Sequence, residues 1–152
     1  MTGTRKKVLA VSSGGGHWIE LLRIMPAFED CDVIYATVRN DYRADVPGAA
    51  FFVVNHADRR HVVKTLLLAF RVLFLVLRLR PDIVVSAGAA PGYFALRFGK
   101  MIGARTIWLD SLANVDDLSK SGHMVRRYAD LWLTQWPQLA GPGGPEYAGK
   151  VI

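Results

Sequence analysis

Residues 8–22 read VLAVSSGGGHWIELL, a short apolar run, two serines, three glycines, and then apolar residues at helical spacing. The pattern is that of a strand (8–11), a tight loop and a helix carrying His17, Trp18, Leu21 and Leu22. Glycine has no Cβ, so Gly14, Gly15 and Gly16 can take positive φ and let a ligand reach the main chain. The helix that follows begins with unpaired N–H groups and the positive end of its dipole, an arrangement suited to phosphate or diphosphate. The same turn also serves plain helix–sheet packing, and the turn alone leaves both readings open.

Two nucleotide-binding signatures are absent. A dinucleotide fingerprint places a third glycine where Ile19 stands and an acid at the end of the second strand, where Arg39 stands. A Walker A loop needs Gly-Lys-Ser/Thr, and no such triplet occurs.

The chain has 152 residues, enough for one domain with a core of its own. It pairs 51% hydrophobic residues with a net charge of +6, so part of its surface is expected to be covered by something other than water. One cysteine, Cys31, excludes an internal disulfide and fits a reducing compartment. The basic triplet Arg5, Lys6, Lys7 resembles the start of a signal peptide, but the apolar run after it ends at Val11. A cytoplasmic location is therefore expected.

Strand patterns recur at 32–38, 50–54, 83–86, 105–109 and 131–134, separated by helical patterns at 58–79, 91–101 and 124–129. Asp58 is the N-cap candidate of the longest helix, and Arg80 with Pro81 ends it. From Gly141 the chain is rich in Gly and Pro and suggests a flexible or partner-binding tail, 141–152, on a single domain. Alternating strands and helices predict an α/β fold, a Rossmann-like doubly wound parallel sheet. Ligands of such sheets gather at the carboxyl ends of strands. The loops there are 12–17, 87–91 and 110–114, which together form the candidate site.

In the helix over 58–79, the strongly polar residues between Val62 and Leu77 are Lys64 and Arg71; with Arg78 they recur every seven residues on one face. That run covers roughly 24 Å, short of the ~30 Å hydrocarbon core of a bilayer. An arginine at its middle would add about 2.5–3.5 kcal/mol to the cost of insertion. The pattern fits a helix lying in the membrane interface with its cations on anionic headgroups, or one buried against a partner protein. The cations keep company with aliphatic residues rather than spaced stacking aromatics, which argues against nucleic acid.

Three stretches carry a family resemblance: SSGGGH at 12–17, RPDIVVSAGAAPG at 80–92, and LDSLANVDDLSKSGHMVRRYADLWLTQW at 109–136. Together they resemble the membrane-anchor subunit of a split UDP-sugar glycosyltransferase, of the Alg fourteen type or the bacterial PssD type of exopolysaccharide assembly. The glycine loop and the second turn are shared more widely, with the acceptor half of the lipid II glycosyltransferase. The resemblance implies the fold of the N-terminal half of a GT-B enzyme. It further implies a separate UDP-sugar-binding subunit, a polyprenyl-diphosphate-linked acceptor, peripheral attachment to the cytoplasmic face of the plasma membrane, no cofactor, and no activity for the chain alone. Members often carry Glu where Asp110 stands.

On this reading His17 and Asp110 are the candidate catalytic residues, His17 as phosphate contact or general base. Ser12, Ser13, Gly14, Gly15 and Gly16 form the phosphate cradle. Gly88, Ala89, Ala90, Pro91 and Gly92 make a second close-approach surface, and Ser111 and Asn114 are polar groups at a strand end. Lys64, Arg71 and Arg78 are the membrane contacts. His56, His61 and His123 lack companions at metal-ligand spacing, so no metal site is expected. Two other functions compete: a non-catalytic anchor that recruits the catalytic subunit, and a stand-alone nucleotide-binding oxidoreductase, weakened by Ile19 and Arg39.

Overall fold

The computed structural model describes residues 3–57 and 60–152. Seven strands, β1 (Lys7–Ser12), β2 (Asp32–Thr37), β3 (Ala50–Val53), β4 (Ile83–Gly88), β5 (Arg105–Leu109), β6 (Leu131–Thr134) and β7 (Glu146–Tyr147), pair in the order β3-β2-β1-β4-β5-β6-β7. Every pairing is parallel. The helices are α1 (Gly16–Ile24), α2 (Val62–Leu79), α3 (Ala89–Met101) and the short α4 (Lys120–Met124). This is the doubly wound architecture expected from the alternation of patterns, with the strand order reversing between β1 and β4.

Strand β1 is buried on both faces, which is why it is apolar without alternation. Leu9 and Val11 meet α2 and α3 on one side, while Val8 and Ala10 meet Trp18 and Leu21 of α1 on the other. Its pairing with β4 slips between Val11 and Ser12, so that Ser12 lies opposite Gly88. The irregularity falls where both strands leave the sheet.

Helix α2 packs Leu68, Val72, Leu75 and Val76 against the sheet, each worth about 1.5–3 kcal/mol of burial. Its other side exposes Val63, Leu66, Phe70 and Phe74. Arg80 ends the helix in the left-handed region (φ 45°) with its N–H on the carbonyl of Val76 at 2.9 Å. The helix begins at Val62; the expected cap Asp58 lies outside the described residues, as does Arg59.

Two elements differ from expectation. The helix expected over 124–129 is α4 followed by a single 3-10 turn, Val125–Arg127. The Ser119 hydroxyl accepts the Gly122 N–H at 2.8 Å and starts the helix earlier. The tail, expected to be flexible or partner-binding, adds β7 along the edge of β6, pairing Leu133 with Glu146 and Thr134 with Tyr147. It satisfies backbone groups that an open edge would leave unpaired.

Asp130, just before β6, ties that strand to its neighbour. Its Oδ2 accepts the Thr106 N–H at 3.0 Å, and its Oδ1 pairs with Lys100. Burial pushes this carboxyl up, but Lys100 and the Thr106 N–H outweigh it and hold the group below its ordinary value. A depressed carboxyl stabilises the fold above the unfolded-state value of about 4 and loses that contribution as pH falls through the folded-state value. Thermal unfolding followed against pH should therefore show wild type more stable than Asp130→Asn near neutrality, with the gap closing below about pH 4.

Candidate functional site

The crevice of a doubly wound sheet opens where the strand order reverses, here at the carboxyl ends of β1 and β4. His17, in the first turn of α1, bridges them: its Nδ1 lies 3.0 Å from the carbonyl oxygen of Ala87 at the end of β4. A carbonyl can only accept, so Nδ1 carries the proton and, in the neutral ring, Nε2 is left as the acceptor. Nε2 has no partner among the described residues. Gly88 follows with φ 142°, and a Cβ there would come within 2.5 Å of His17 Nδ1, so the imidazole packs on bare backbone. Ala89 sits at φ 65°. That left-handed conformation costs an alanine of order 1–3 kcal/mol, and it lies at the mouth of α3.

The three glycines do different work. Gly15 takes φ 69° and donates its N–H to the Tyr42 hydroxyl at 2.8 Å. Tyr42 in turn stacks flat on Trp18, ring centroids 5.1 Å apart, under the guanidinium of Arg39. At Gly14 a Cβ would press on that hydroxyl at 3.2 Å. Gly16 opens α1, whose start no side chain caps, and the N–H groups of Gly16 and His17 have no partner among the described residues, as is usual for first-turn amides. The Ser12 hydroxyl is fully buried and donates to the Ser13 carbonyl at 2.9 Å. Ser13 is half-buried and its carbonyl also accepts from Thr37. Among the described residues, the donors left for an anion thus include the Ser13 hydroxyl and the helix-start amides, but not the Ser12 hydroxyl or the Gly15 N–H.

The second turn divides likewise. Ala89 and Ala90 are half-exposed, whereas Pro91 and Gly92 are buried. A Cβ on Gly92 would stand 1.8 Å from Ser86 Oγ, so this glycine lets α3 close on β4.

At the end of β5, Asp110 is 1% exposed and both its oxygens are engaged. Oδ1 accepts from Trp108 Nε1 (3.1 Å) and Ser119 Oγ (2.6 Å); Oδ2 accepts from Asn114 Nδ2 (3.0 Å) and the Ser119 N–H (2.9 Å). The carboxylate closes the loop 110–119 from inside, and Asn114 is turned toward it. The Ser111 hydroxyl donates to Glu20 at 3.2 Å. His17 and the strand-end polar residues are therefore connected through α1; both oxygens of Asp110 and the Ser111 hydroxyl are engaged, whereas His17 keeps Nε2 without a partner among the described residues.

Sequence reasoning missed Glu20. It is 7% exposed, and its Oε1 accepts the Leu112 N–H at 2.8 Å and a longer contact from Gln135 Nε2 at 3.4 Å, besides Ser111. Its Oε2 is buried without a partner among the described residues. Gln135, fully buried, also donates to the Asp110 carbonyl and accepts the Val151 N–H at 2.9 Å, fastening the tail. The available signal was a carboxylate three residues after His17 on the apolar face of a helix, where a charge must find partners.

The remaining expectations fall outside this crevice. Lys64, Arg71 and Arg78 are exposed along α2 beside its apolar outer side. His123 is exposed and pairs with Asp117 at 2.9 Å. Among the described residues no three or more His, Cys, Asp or Glu are grouped to hold a metal, and no helix is long and apolar enough to cross a membrane.

A seven-stranded Rossmann-like sheet with a glycine loop and a bridging histidine at its reversal point places the chain among domains of GT-B architecture. MurG of Acinetobacter baumannii superposes with a TM-score of 0.75 over 93% of this chain and 45% of its own, at 14% identity. A UDP-N-acetylglucosamine 2-epimerase from Neisseria meningitidis gives 0.63 over 85% of this chain and 40% of its own, at 10% identity. Residues 53–150 match the family described as "Oligosaccharide biosynthesis protein Alg14 like", and the chain belongs to that family. The UDP-N-acetylglucosamine transferase subunit ALG14 of Yarrowia lipolytica is 31% identical over 89% of this chain and 62% of its own length. That of Eremothecium gossypii is 25% identical over 91% and 76%. The chain thus spans somewhat under two thirds of the Yarrowia relative.

Because Glu20 holds buried donors from two loops, Glu20→Ala should lower stability by about 1–3 kcal/mol in denaturant titrations. Glu20→Gln, which keeps an acceptor at Oε1, should recover most of that loss.

Proposed function

We propose that this chain is the acceptor-binding, membrane-contacting half of a two-component glycosyltransferase that moves a sugar from a UDP-sugar to a polyprenyl-diphosphate-linked acceptor. The observation that carries the reading is the fixed imidazole of His17: Nδ1–H held by Ala87, Nε2 unengaged, beside the uncapped start of α1. The acceptor diphosphate lies on the amides of Gly16 and His17, with Ser13 and Gly14 behind it and Gly88, Ala89 and Ala90 forming the opposite wall. Nε2 takes the proton of the acceptor hydroxyl as that oxygen attacks the anomeric carbon, and UDP leaves from the opposite face with inversion. Asp110, Ser111 and Asn114 position the loop, and Ser12, Pro91 and Gly92 shape the turns. No cofactor enters this scheme.

The UDP-sugar belongs to a second subunit, and the chain alone is inactive. Support comes from membership of a family whose named relatives are transferase subunits. A groove of about 390 Å³ between the sheet and the tail residues 148–151 is the docking place for that subunit. Attachment to the cytoplasmic face of the membrane is peripheral, through the outer side of α2. There Val63 and Phe70 are 78% and 67% exposed next to Lys64 and Arg71. A second reading, a non-catalytic anchor, is favoured by the engagement of Asp110, which leaves His17 as the one candidate reacting group at the crevice.

The test is transfer by the reconstituted pair. His17→Ala should lower kcat by about 10²–10⁴-fold while complex formation, measured by co-purification, is kept. Full activity in that variant would establish the anchor reading, and transfer by the chain alone would end the two-component reading. Separately, Lys64, Arg71 and Arg78 changed together to Glu should release the protein from anionic liposomes, and unchanged sedimentation would remove the α2 contact.

A further inference from the structure

A cleft of about 510 Å³ opens between the first turns of α2 and α3 and the short α4, walled by Val62, Leu66, Ala90, Phe94 and Met124. A second cavity, about 610 Å³, adjoins it through Tyr93 and Met124 and is bounded by His123, Arg126, Arg127 and Tyr128. Val62 and Leu66 also belong to the exposed outer side of α2. One continuous surface therefore passes from aliphatic to aromatic to cationic.

The cationic end is not neutralised from within. Arg126 and Arg127 are exposed and have no ion pair or hydrogen bond among the described residues. Asp130 is engaged with Lys100 and Thr106, and Asp117 with His123 on the rim of the same cavity. A third guanidinium, Arg97, lies 5.7 Å over the ring of Tyr128 and reaches the Tyr93 hydroxyl at 3.4 Å. Guanidinium groups on the rim of an apolar cleft suit a molecule with a phosphate head and an apolar chain, since the fork matches phosphate oxygens and the cleft removes the chain from water.

We propose that Arg126 and Arg127 bind the headgroup phosphate of an anionic bilayer phospholipid whose acyl chain enters the neighbouring cleft. The proposal rests on the reading of α2 as a membrane contact. Helix α2 supplies apolar area but little orientation, because a single amphipathic helix can roll about its axis on a surface. A phosphate held at the arginines gives a second fixed point and sets the face of the domain turned to the bilayer. The headgroup site is separate from the acceptor diphosphate by position: Ala89 and Ala90, next to Gly88 and His17, line the cleft that takes the acyl chain but not the cationic cavity.

Vesicle flotation of the full chain tests this with phosphatidylcholine alone, phosphatidylcholine carrying about 30% phosphatidylglycerol, and phosphatidylcholine carrying a polyprenyl monophosphate. Arg126→Gln with Arg127→Gln is compared with Arg80→Gln with Arg105→Gln, which removes the same charge at the amino ends of the strands. The first pair should weaken binding to phosphatidylglycerol vesicles on the order of 20-fold and leave binding to phosphatidylcholine unchanged. The second pair should change it by no more than about twofold. Equal loss in both pairs, or none in the first, overturns the proposal. A requirement for Arg126 and Arg127 seen only with polyprenyl phosphate also overturns it and gives the cleft to the lipid substrate. Wild type binding both phospholipid vesicles alike defeats the headgroup site while sparing the α2 contact; wild type binding neither defeats both.

Discussion

The hydrogen bond from His17 to the Ala87 carbonyl is the constraint on which the crevice depends. It spans the point where the sheet reverses order, so it joins the strand that enters the glycine loop to the strand that enters α3. The bond needs the imidazole to lie over Gly88, where a Cβ would intrude. It also sets the tautomer, since the carbonyl has no proton to give. The unusual backbone of Ala89 and the register slip at Ser12 belong to the same few ångströms. Local irregularity is thus concentrated where the two strands part, and the surrounding parallel ladder holds it in place.

A second level of organisation lies behind that bond. Glu20, one turn along α1 from His17, receives the Leu112 N–H and Ser111, and Gln135 links this cluster to Asp110 and to Val151. Trp136 adds a bond from its indole N–H to the Leu112 carbonyl at 2.8 Å, under the ammonium of Lys150. Loop, helix and tail are fastened by buried polar groups, which are directional where apolar packing is not.

The fold was legible because its signals are local and repeated. Apolar runs of strand length alternate with helical spacing, and a glycine turn after the first strand fixes where the crevice lies. Boundaries blurred where a side chain, not a pattern, sets them, as at Ser119, whose hydroxyl moves a helix start. Strand β7 could not be read, because two residues carry no period and its partner is an edge formed by distant sequence. At the candidate site, spacing located the loops at the strand ends but not the direction of each side chain. Asp110 and Ser12 looked like ligand groups because strand-end polar residues often are; both are buried, Asp110 held by Trp108, Asn114 and Ser119 and Ser12 by the Ser13 carbonyl. Glu20 was passed over for the opposite reason, being hidden inside an apolar helix.

Among the described residues every strand pairing is parallel and none is a hairpin, so the crevice forms only through contacts distant in sequence. Lys7 at the foot of β1 donates its N–H to the Asp82 carboxylate at 2.8 Å, across 75 residues of chain. The central pair must close that separation before Ala87 can meet His17, and contacts so far apart in sequence form late and slowly. During synthesis, more than half of the chain has left the ribosome before the glycine loop gains its anchor. Until then the loop is a turn without a wall, unable to hold an imidazole in one orientation.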